Sequence, residues 1–492
     1  MKTWALYPLI YEINTWVWLG NLSGKHKRAV DLATIPEEEW DFLASLGFDA
    51  VWLMGIWERS PAGIEISRLN KELIGDFRHA LPDFSAKDHV GSPYCVRRYV
   101  VDTHLGGPKG LAVARQSLAK RGIRLILDFV PNHVAPDHPW VNDHPEYFIH
   151  GNAEDPRNDP TSFIEVGNSV FACGRDPNLP AWSDVLQLNA FQSGLRKAAV
   201  ETISEIGEQC DGIRCDMAML MLNTIFERTW GARAGVKPPD DYWKTVISVI
   251  KSKQPKFKFI AEVYWDLEYP LQQQGFDFCY DKKLYDRLRH ADAESVRLHL
   301  LTDLSYQQKM IRFIENHDEL RAATTFPGEK GRAAALAILT LPGGRLLHEG
   351  QFEGLKVWLP VFLARRMAEP VDHDLVNFYR HLLHETKREV FRNGDWCLCE
   401  QSGWLDNQSC KNILAWCWKK GTERYLIVTN FSDQPSQALI RVPWDELRES
   451  LWRLHDTLSN VSYDRNGNDM LDGGLYIDLG PWKFHFFRVE AL

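Results

Sequence analysis

Four short segments of the chain each place an acidic side chain at or just after an apolar, β-rich run. The segments are residues 125–134, 211–216, 259–264 and 313–318, and their acids are Asp128, Asp216, Glu262 and Asp318. Parallel β/α barrels build their active sites from side chains at the carboxyl ends of several strands. Cleavage of a glycosidic bond needs one carboxyl group as acid/base and a second as nucleophile or base. The segments therefore favour a barrel with converging carboxylates, an arrangement suited to glycosidic chemistry.

The neighbours of Asp216 and Glu262 predict different roles for the two acids. Arg214 lies two positions before Asp216, so both side chains point to the same side of a strand. A nearby guanidinium favours the ionised carboxylate and lowers its pKa, as a nucleophile requires. Glu262 instead ends the apolar run FKFIAE, and an apolar setting raises a carboxyl pKa, as suits a general acid. The alternatives are a structural Arg214–Asp216 ion pair and a glutamate that faces solvent.

Two further segments offer groups that could bind a sugar. His317 and Asp318 place an imidazole donor beside a carboxylate, a pair that can grip adjacent hydroxyl groups; a helix cap with a satisfied histidine is the alternative. Asp128 lies within its apolar run, with Asn132 and His133 just downstream. Asp128 could support the site from behind, Asn132 could fix a loop or a cation, and His133 could bind substrate. A buried structural aspartate is the alternative for Asp128.

Strand-like and helix-like segments alternate along most of the chain. Apolar β-like runs lie at residues 9–13, 48–53, 123–129, 212–215, 258–263, 275–280 and 345–348. Helical patterns lie at residues 37–46, 111–121, 195–209 and 242–253. This alternation favours parallel βα units. The predicted fold class is therefore α/β, a (β/α)8 TIM barrel.

The interval between Asp128 and Asp216 is too long for one βα unit. Residues 135–189 within it are rich in Pro, Asp, Asn, His and Gly and poor in periodicity, which predicts a small inserted loop domain after the third strand, on the catalytic face. Short strand-like runs at residues 396–400, 413–418, 425–429, 438–442, 475–479 and 485–489 follow the barrel. We predict a catalytic barrel over residues 1–134 and 190–392, an insertion over 135–189, and a C-terminal antiparallel β-sandwich over 393–492.

Length and composition restrict the classes of partner. The 492 residues suffice for a barrel of roughly 250–400 residues and a smaller domain. A net charge of −9 argues against nucleic acid as a partner. No apolar stretch approaches the roughly 20 residues of a membrane span, and the N-terminus lacks the features of a signal peptide. Nine cysteines without a CxxC pair predict buried thiols in a reducing cytoplasm, with a zinc site at Cys397 and Cys399 as the alternative. The oligomeric state stays open.

In order and spacing, the four acidic segments resemble the successive sequence regions of the α-amylase family, a large group of retaining α-glucan and α-glucoside enzymes. The resemblance runs from about residue 7 to residue 354 and more loosely beyond. It implies that Asp216 is the nucleophile, Glu262 the general acid/base and Asp318 the transition-state stabiliser. The substrate-binding side chains that it implies are Arg214, His133, His317, Tyr94, Asp128 and Arg321. Residues 185–189 (VLQLN) are similar to the family's short motif in the inserted domain.

The mechanism implied by the resemblance is a double displacement that retains the α configuration, with the two reacting carboxyl groups about 5–5.5 Å apart. Many endo-acting members carry lysine and histidine three and four residues after the nucleophile, where they contact the leaving sugar. Met219 and Leu220 hold those positions here. This departure, together with the segment NHVAPDHPW at residues 132–140, favours a substrate among the short α-glucosides.

Calcium is a recurrent ligand of the family, and Asn132 is the matching candidate residue, although the chemistry itself requires no cofactor. Residues 464–469 (DRNGND) superficially resemble a calcium loop, but glycine is missing at the sixth place and glutamate at the twelfth. A hairpin turn is predicted there instead. Tryptophans on predicted catalytic-face loops are candidates for stacking on sugar rings; they are Trp16, Trp18, Trp57, Trp140, Trp182 and Trp265.

Three functions stay open from the sequence. The leading hypothesis is a retaining α-glycoside hydrolase that acts on α-glucans or short α-glucosides. The second is a transglycosylase or isomerase, such as a glucanotransferase or a trehalose-forming enzyme, since the same residues serve and only the acceptor differs. The third is a non-catalytic sugar-binding barrel. Such barrels usually lose catalytic acids or gain a membrane anchor, and neither feature is visible in the sequence.

Overall fold

The structure, a computed structural model, describes residues 4–290 and 292–492. The chain begins with β1 (Leu9–Asn14), α1 (Thr15–His26), α2 (Glu37–Leu46), β2 (Ala50–Met54), β3 (Trp57–Arg59), α3 (Pro61–Arg68), α4 (Lys71–Ala80), β4 (Val96–Val101), α5 (Gly107–Lys120), β5 (Arg124–Phe129), β6 (His133–Val134), α6 (Trp140–Asp143), α7 (Asp155–Asn158), β7 (Phe163–Val166), β8 (Ser169–Gly174) and β9 (Trp182–Gln187). It continues with α8 (Ser193–Gln209), β10 (Gly212–Cys215), α9 (Asn223–Trp230), α10 (Tyr242–Lys253), β11 (Lys258–Ala261), α11 (Glu268–Gln273), β12 (Phe278–Tyr280), α12 (Lys282–His290), α13 (Ala293–Leu300), α14 (Leu304–Gln307), β13 (Met310–Arg312), α15 (Ala322–Thr325), α16 (Glu329–Thr340) and β14 (Gly344–His348). It ends with α17 (His373–Thr386), α18 (Glu389–Asn393), β15 (Asp395–Leu398), β16 (Glu400–Ser402), β17 (Ile413–Lys420), β18 (Glu423–Asn430), β19 (Ser436–Arg441), β20 (Leu451–Asp456), β21 (Val461–Asn466), α19 (Gly467–Asp472), β22 (Leu475–Leu479) and β23 (Phe484–Ala491).

Eight parallel strands close into a barrel in the order β1-β14-β13-β12-β11-β10-β5-β2, which confirms the predicted fold class. Every residue of β1, β2 and β5 is buried. Parallel strands covered on both faces consist of nearly continuous apolar residues, which explains why the sequence reveals them. The run at residues 275–280 contributes only Phe278–Tyr280, because Gly275, with φ 111°, still belongs to the turn that follows α11.

Two insertions follow barrel strands. After β5, strands β6 to β9 form a four-stranded sheet in the order β6-β9-β8-β7, so residues 135–189 hold more regular structure than the loop predicted there. The second insertion, which the sequence did not reveal, follows β2 and contains α3 and α4 between the paired strands β3 and β4. Gly55 begins it with φ 76°, and a Cβ there would lie 2.9 Å from Cβ of Pro93.

The C-terminal region forms two antiparallel sheets, β15-β17-β18-β23-β20-β21 and β16-β19-β22. The hairpin turn predicted at residues 464–469 is wrong. Val461–Asn466 is a strand paired with β20, and Gly467–Asp472 is a helix. The Asn466 side chain accepts a hydrogen bond from Asn468 N, so the polar segment caps a helix instead of reversing the chain.

Two tryptophans of β17 attach the C-terminal sheets to the barrel. The indole N–H groups of Trp416 and Trp418 donate to Oγ1 and O of Thr340, at the end of α16, at 3.2 and 2.6 Å. The Trp418 ring also packs edge-on against Tyr7, with ring centroids 5.4 Å apart. Both tryptophans are fully buried, so this contact is part of the protein core.

Within residues 4–290 and 292–492, no helix combines the length and apolarity needed to cross a bilayer. The nine cysteines are free thiols, and all but Cys397 are buried.

Candidate active site

The three predicted catalytic acids line one cavity of about 550 Å³. Asp216 and Glu262 directly follow β10 and β11, which are parallel neighbours, and Asp318 lies in the loop after β13. Asp216 N donates to O of Phe129 at 2.9 Å, and Glu262 N donates to O of Cys215 at 3.1 Å. The hydrogen bonding of the barrel therefore extends to both acids and fixes their backbones. Other lining side chains are Tyr94, His133, Leu179, Trp182, Met217, Tyr264, Trp265, Val361 and Phe362.

Arg214 is the cation that the three acids share. It is buried in β10, with Nη1 2.7 Å from Oδ1 of Asp216, Nη2 2.8 Å from Oε2 of Glu262 and Nη2 3.9 Å from Oδ2 of Asp318. The rings of Trp52, Tyr94 and Tyr280 lie around the guanidinium, with centroids 5.3, 5.2 and 5.7 Å from Cζ. Because aromatic faces attract a cation, these rings hold Arg214 in place beneath the acids.

Glu262 lies in an environment that favours its protonated form. Burial raises the pKa of Glu262 to about 7, against the opposing charge of Arg214 and with the support of Asp216 and Asp318. The Tyr264 hydroxyl donates to Oε1 at 2.8 Å, and Met217 N donates to Oε2 at 2.6 Å. The direction of the pKa shift is the one expected from the apolar run before Glu262. A carboxyl group with a pKa near 7 can give up and regain a proton at neutral pH.

The pKa of Asp216 shifts in the direction opposite to the prediction. Burial raises the pKa of Asp216 above its ordinary value, although the charge and hydrogen bond of Arg214 act to lower it. The expected lowering by Arg214 is therefore wrong in its net direction. Sequence neighbours reveal the guanidinium, whereas the depth of burial depends on the assembled barrel.

Asp318 is the most accessible of the three acids, with 42% of its side chain exposed. Although partial burial favours the neutral acid, the charge and hydrogen bond of His317 hold the pKa of Asp318 below its ordinary value, and Arg214 adds to this. His317 Nε2 lies 3.1 Å from Oδ2 of Asp318 and 2.6 Å from the Tyr94 hydroxyl. Asp318 is thus ionised beside the cavity, where a developing positive charge on a sugar would be stabilised.

His133 and Tyr94 are the predicted substrate-binding residues that line the cavity. His133 lies in β6, and its ring packs against Trp182 with centroids 5.1 Å apart. Burial lowers the pKa of His133 to about 3, so its imidazole is neutral at working pH. A neutral imidazole can both donate and accept a hydrogen bond, as suits a contact with a sugar hydroxyl.

Asp128 and Arg321 lie outside the cavity lining. Asp128 accepts from Nε1 of Trp52 at 3.2 Å and from N of Gly55 at 3.0 Å, and burial raises its pKa to about 6. Arg321 pairs with Glu315 and donates to O of Glu349 at 2.9 Å. Both residues therefore stabilise neighbouring segments of the chain through hydrogen bonds and ion pairs. Arg214 and His317 also lie behind the lining, but each contacts a lining acid directly.

Asn132 does not fit the predicted role of calcium ligand. Its side-chain Nδ2 donates to Oε1 of Gln187 at 3.2 Å, and its Oδ1 accepts from Nε2 of Gln187 at 2.9 Å. The pair is buried and joins β6 to the end of β9, within the segment VLQLN. In the described part of the chain, no group of three or more His, Cys, Asp or Glu side chains is placed to hold a metal ion. The Asn132 carboxamide instead stabilises the inserted sheet through its hydrogen bonds with Gln187.

Two of the six candidate tryptophans line the cavity. Trp182 and Trp265 line the cavity, whereas the other four candidates, Trp16, Trp18, Trp57 and Trp140, are absent from its lining. Met219 and Leu220 are fully buried, so they do not extend toward a leaving sugar.

Two features near the acids were not found from the sequence. Met217, directly after Asp216, has φ 42°, a left-handed conformation that is unusual for a residue other than glycine; its N–H is thereby directed at Glu262. Glu12 lies in β1 and contacts His317. The sequence shows Glu12 as a charged residue inside the apolar run LIYEI, but no neighbouring residue indicates that His317 is its partner.

Comparisons with known proteins find α-amylases among the similar sequences and structures. A family model described as "Alpha amylase, catalytic domain" matches residues 24–166. The α-amylase MalA of Haloarcula japonica is 24% identical over 455 residues, covering 88% of this chain and 56% of the relative. The α-1,4-glucan:maltose-1-phosphate maltosyltransferase of Picrophilus torridus is 21% identical over 454 residues, covering 87% of this chain and 63% of the relative. The chain therefore spans between about half and two thirds of the length of these relatives.

A solved structure shows the same fold over the whole chain. The maltogenic α-amylase AmyB of Thermotoga neapolitana superposes with a TM-score of 0.70 at 19% identity, covering 99% of both chains. The likeness includes the closed barrel and the C-terminal antiparallel sheets. The matched catalytic-domain model and the curated relatives are similarities to α-amylases, and the solved structure adds a likeness in fold.

Proposed function

We propose that the protein is a retaining α-glycoside hydrolase that acts on α-glucans or short α-glucosides. The observation that carries the proposal is the joint contact of Arg214 with Asp216 and Glu262, beside Asp318 and within one cavity. Two reacting carboxyl groups and a third stabilising carboxylate are the complement that glycosidic double displacement uses.

In the proposed reaction, Glu262 gives its proton to the glycosidic oxygen while Asp216 attacks the anomeric carbon. The C–O bond to the leaving sugar breaks, and a covalent glycosyl ester forms on Asp216. Glu262, now ionised, takes a proton from water, whose oxygen displaces Asp216 from the anomeric carbon. Asp216 returns to the carboxylate and Glu262 to the acid. Two inversions leave the α configuration unchanged.

The supporting features differ for each role. The pKa of about 7 at Glu262 keeps a proton available for the first step. Arg214 stabilises the ionised Asp216 at 2.7 Å. Asp318, whose pKa is lowered, faces the cavity as an anion, where it stabilises the oxocarbenium-like transition state.

The cavity favours short substrates. Its volume of about 550 Å³ lies within the usual range of about 300–1,000 Å³ for small-molecule sites. Trp182 and Trp265 offer ring faces for sugars. Because Met219 and Leu220 are buried, these positions offer no polar contact to a leaving sugar, which supports a preference for short α-glucosides over a typical endo-amylase mode.

The second candidate is a transglycosylase or isomerase that uses the same residues. The chain is similar to a protein described as a maltosyltransferase, which supports this second candidate. Transfer and hydrolysis differ only in the acceptor of the second step. The third candidate, a non-catalytic barrel, gains no support from the site, which retains all three acids.

Product analysis tests the proposal. The protein is incubated separately with maltoheptaose, trehalose, sucrose and isomaltose, and the products are separated by chromatography. Glucose from any substrate, or maltose from maltoheptaose, would support hydrolysis. Longer oligomers, or a new disaccharide such as maltose from trehalose, would show transfer. Sugar binding without turnover of any substrate would contradict both.

Two variants test whether the candidate acids carry out the turnover. Asp216→Asn and Glu262→Gln should each lower kcat by about a thousandfold or more. Asp211→Asn is the matched control, because Asp211 lies at the opposite, amino end of β10, where its Oδ2 accepts from N of Leu125 at 2.9 Å. It should retain activity, since that end of a barrel serves stability.

We also propose a cytoplasmic location, which the nine free thiols support, and a sugar as the main partner with no role for nucleic acid, which the net charge of −9 supports. We propose that the chemistry needs no cofactor, since its steps use only side chains and water.

A further inference from the structure

Glu12 is a buried carboxylate in the middle of the barrel that none of the steps above uses. It lies in β1, whose six residues are all buried, and its own exposure is 0%. Its Oε1 accepts hydrogen bonds from Nδ1 of His317 and, at 3.4 Å, from N of His317. Its Oε2 has no hydrogen-bond partner in the described part of the chain. Burial of a carboxylate is costly unless the charge is paired, and the partner of Glu12 is His317.

The other side of the His317 ring faces the catalytic acids. Nε2 lies 3.1 Å from Oδ2 of Asp318 and 2.6 Å from the Tyr94 hydroxyl. The Tyr94 ring is stacked on the imidazole with centroids 5.4 Å apart, and Trp52 meets it edge-on at 5.5 Å. The ring thus has one nitrogen directed at Glu12 and the other at the cavity.

We propose that Glu12 is a positioning residue for the reaction: by accepting a hydrogen bond from Nδ1 of His317, it fixes the imidazole so that Nε2 stays beside Asp318 and the Tyr94 hydroxyl at the cavity. This inference rests on the proposed function. Glu12 itself does not line the cavity, so it acts only through His317. The partner on the second nitrogen of a histidine determines which ring nitrogens carry protons and how the ring is oriented.

The negative charge of Glu12 also favours the protonated, cationic form of His317. Although burial opposes protonation, Asp318 and Glu12 together raise the pKa of His317 well above its ordinary value. The cation that results is the largest influence lowering the pKa of Asp318. Glu12 therefore helps to keep Asp318 an anion through the positive charge of the His317 ring, which lies 3.1 Å from Asp318.

Other charged and titratable groups also face His317. Tyr94 and Asp318 contact it, the charge of Asp128 in β5 interacts with it, and Arg214 in β10 lies 3.9 Å from its partner Asp318. The narrow crevice that His317 lines is shared with Glu319, Arg321, His348 and Glu349. Of the carboxylates, Glu12 is the one bonded to Nδ1, so a change at Glu12 removes a contact that the other carboxylates do not make.

The sign of the pH effect follows from this arrangement. Removing the negative charge of Glu12 makes the His317 cation less favourable, so His317 loses its proton at a lower pH. Above that pH, Asp318 loses the partner that keeps it ionised and oriented. In the wild type, Glu262 sets the alkaline limb of the activity profile at about pH 7. When Glu12 is neutralised, His317 should lose its proton before Glu262 does, and the limb should move to lower pH.

The test compares the full-length wild type with Glu12→Gln, Glu12→Asp and the control Glu268→Gln. Glu268 is buried but lies outside the cavity lining, so its substitution measures the general effect of removing a buried carboxyl group. Imidazole ¹⁵N NMR reports the protonation of His317, whose signal is assigned by its loss in His317→Gln. Steady-state kinetics with a short α-glucoside give kcat and KM against pH.

We expect the wild-type His317 ring to keep both nitrogens protonated well above the ordinary pKa of histidine, and the ring in Glu12→Gln to lose its proton at a lower pH than in the wild type. In Glu12→Gln, kcat should fall by about tenfold to a hundredfold with a smaller change in KM, and the alkaline limb should move to lower pH. Glu12→Asp, which keeps the charge, should lie closer to wild type in its pH profile. Glu268→Gln should leave the profile unchanged.

A wild-type His317 that titrates near the ordinary value of about 6.5 would overturn the inference, as would a Glu12→Gln variant with a wild-type profile and kcat. If Glu12→Gln does not fold, the inference is still tested by the NMR titration of His317 in the wild type and by the pH profile of Glu12→Asp. If the wild type turns over no α-glycoside, the proposed function fails, whereas the NMR comparison tests the Glu12–His317 link separately.

Discussion

Replacement of Arg214 by lysine tests how the three acids are held. The guanidinium contacts Asp216 at 2.7 Å through Nη1 and Glu262 at 2.8 Å through Nη2. Lysine keeps the positive charge but has a single nitrogen on a flexible chain. It can therefore keep a close contact with one of these acids and must give up the other.

The loss can be put into numbers from that geometry. Of the two contacts, the one from Nη1 to Asp216 is a hydrogen bond, whereas the contact of Nη2 with Glu262 is an ion pair without one. A hydrogen bond to a charged group contributes about 1.5–3 kcal/mol, and each 1.4 kcal/mol of transition-state stabilisation is about a tenfold change in rate. We therefore expect kcat of Arg214→Lys to fall by about tenfold to 150-fold. Arg214 also acts to lower the pKa of Glu262. If lysine stays with Asp216, the pKa of Glu262 rises above about 7, and the alkaline limb of the activity profile moves to higher pH.

The assay is steady-state hydrolysis of a short α-glucoside over a range of pH, with thermal unfolding measured in parallel. Arg345→Lys is the matched control, since Arg345 is also a buried barrel arginine but binds backbone carbonyls, including O of Tyr7 at 2.6 Å. It should lower stability and leave the pH profile unchanged. An Arg214→Lys enzyme within about threefold of wild-type kcat, with an unshifted limb, would refute the reasoning.

Three further predictions follow from the same structure. Because Glu262 must carry a proton for the first step and burial raises its pKa to about 7, kcat/KM should fall tenfold per pH unit above about pH 7; a profile flat to about pH 9 would contradict this assignment. Because the Asn132 carboxamide is already bonded within the inserted sheet, EDTA should leave both activity and the unfolding midpoint unchanged; a calcium-reversible loss of either would contradict the view that Asn132 is no ligand. Trp418→Ala removes a buried ring that donates to O of Thr340 at 2.6 Å and should lower the free energy of unfolding by about 3–5 kcal/mol, measured by urea denaturation. The exposed Trp404 provides the control, and an equal loss in Trp404→Ala would contradict the importance of the buried contact.

The barrel could be predicted because its strands are buried on both faces and consist of apolar runs. Helices were predictable where one face is apolar, and α10 begins at Tyr242 and ends at Lys253 as the periodicity indicates. The insertion between β2 and α5 was missed because its strands are short, three residues in β3, and carry little periodicity. The same lack of pattern hid the sheet within residues 135–189.

The three candidate acids could be located because each follows an apolar strand in sequence. Properties that depend on distant neighbours could not. The pKa of Asp216 depends on burial by the whole barrel, so Arg214, two residues away, predicted the wrong net direction. Glu12 and its partner His317 are 305 positions apart, and only closure of the barrel, which brings β1 beside β14, places them together.

The most direct test of the account is to trap the covalent intermediate. A 5-fluoro-α-glucosyl fluoride is added to the wild type, and the digested protein is analysed by mass spectrometry, with Asp216→Asn as the control. The account predicts one fluoroglucosyl group on the peptide that contains Asp216, none in the control, and products of α configuration from the natural substrate. An adduct on Glu262 or Asp318, or products of inverted configuration, would contradict the assignment of Asp216 as the nucleophile.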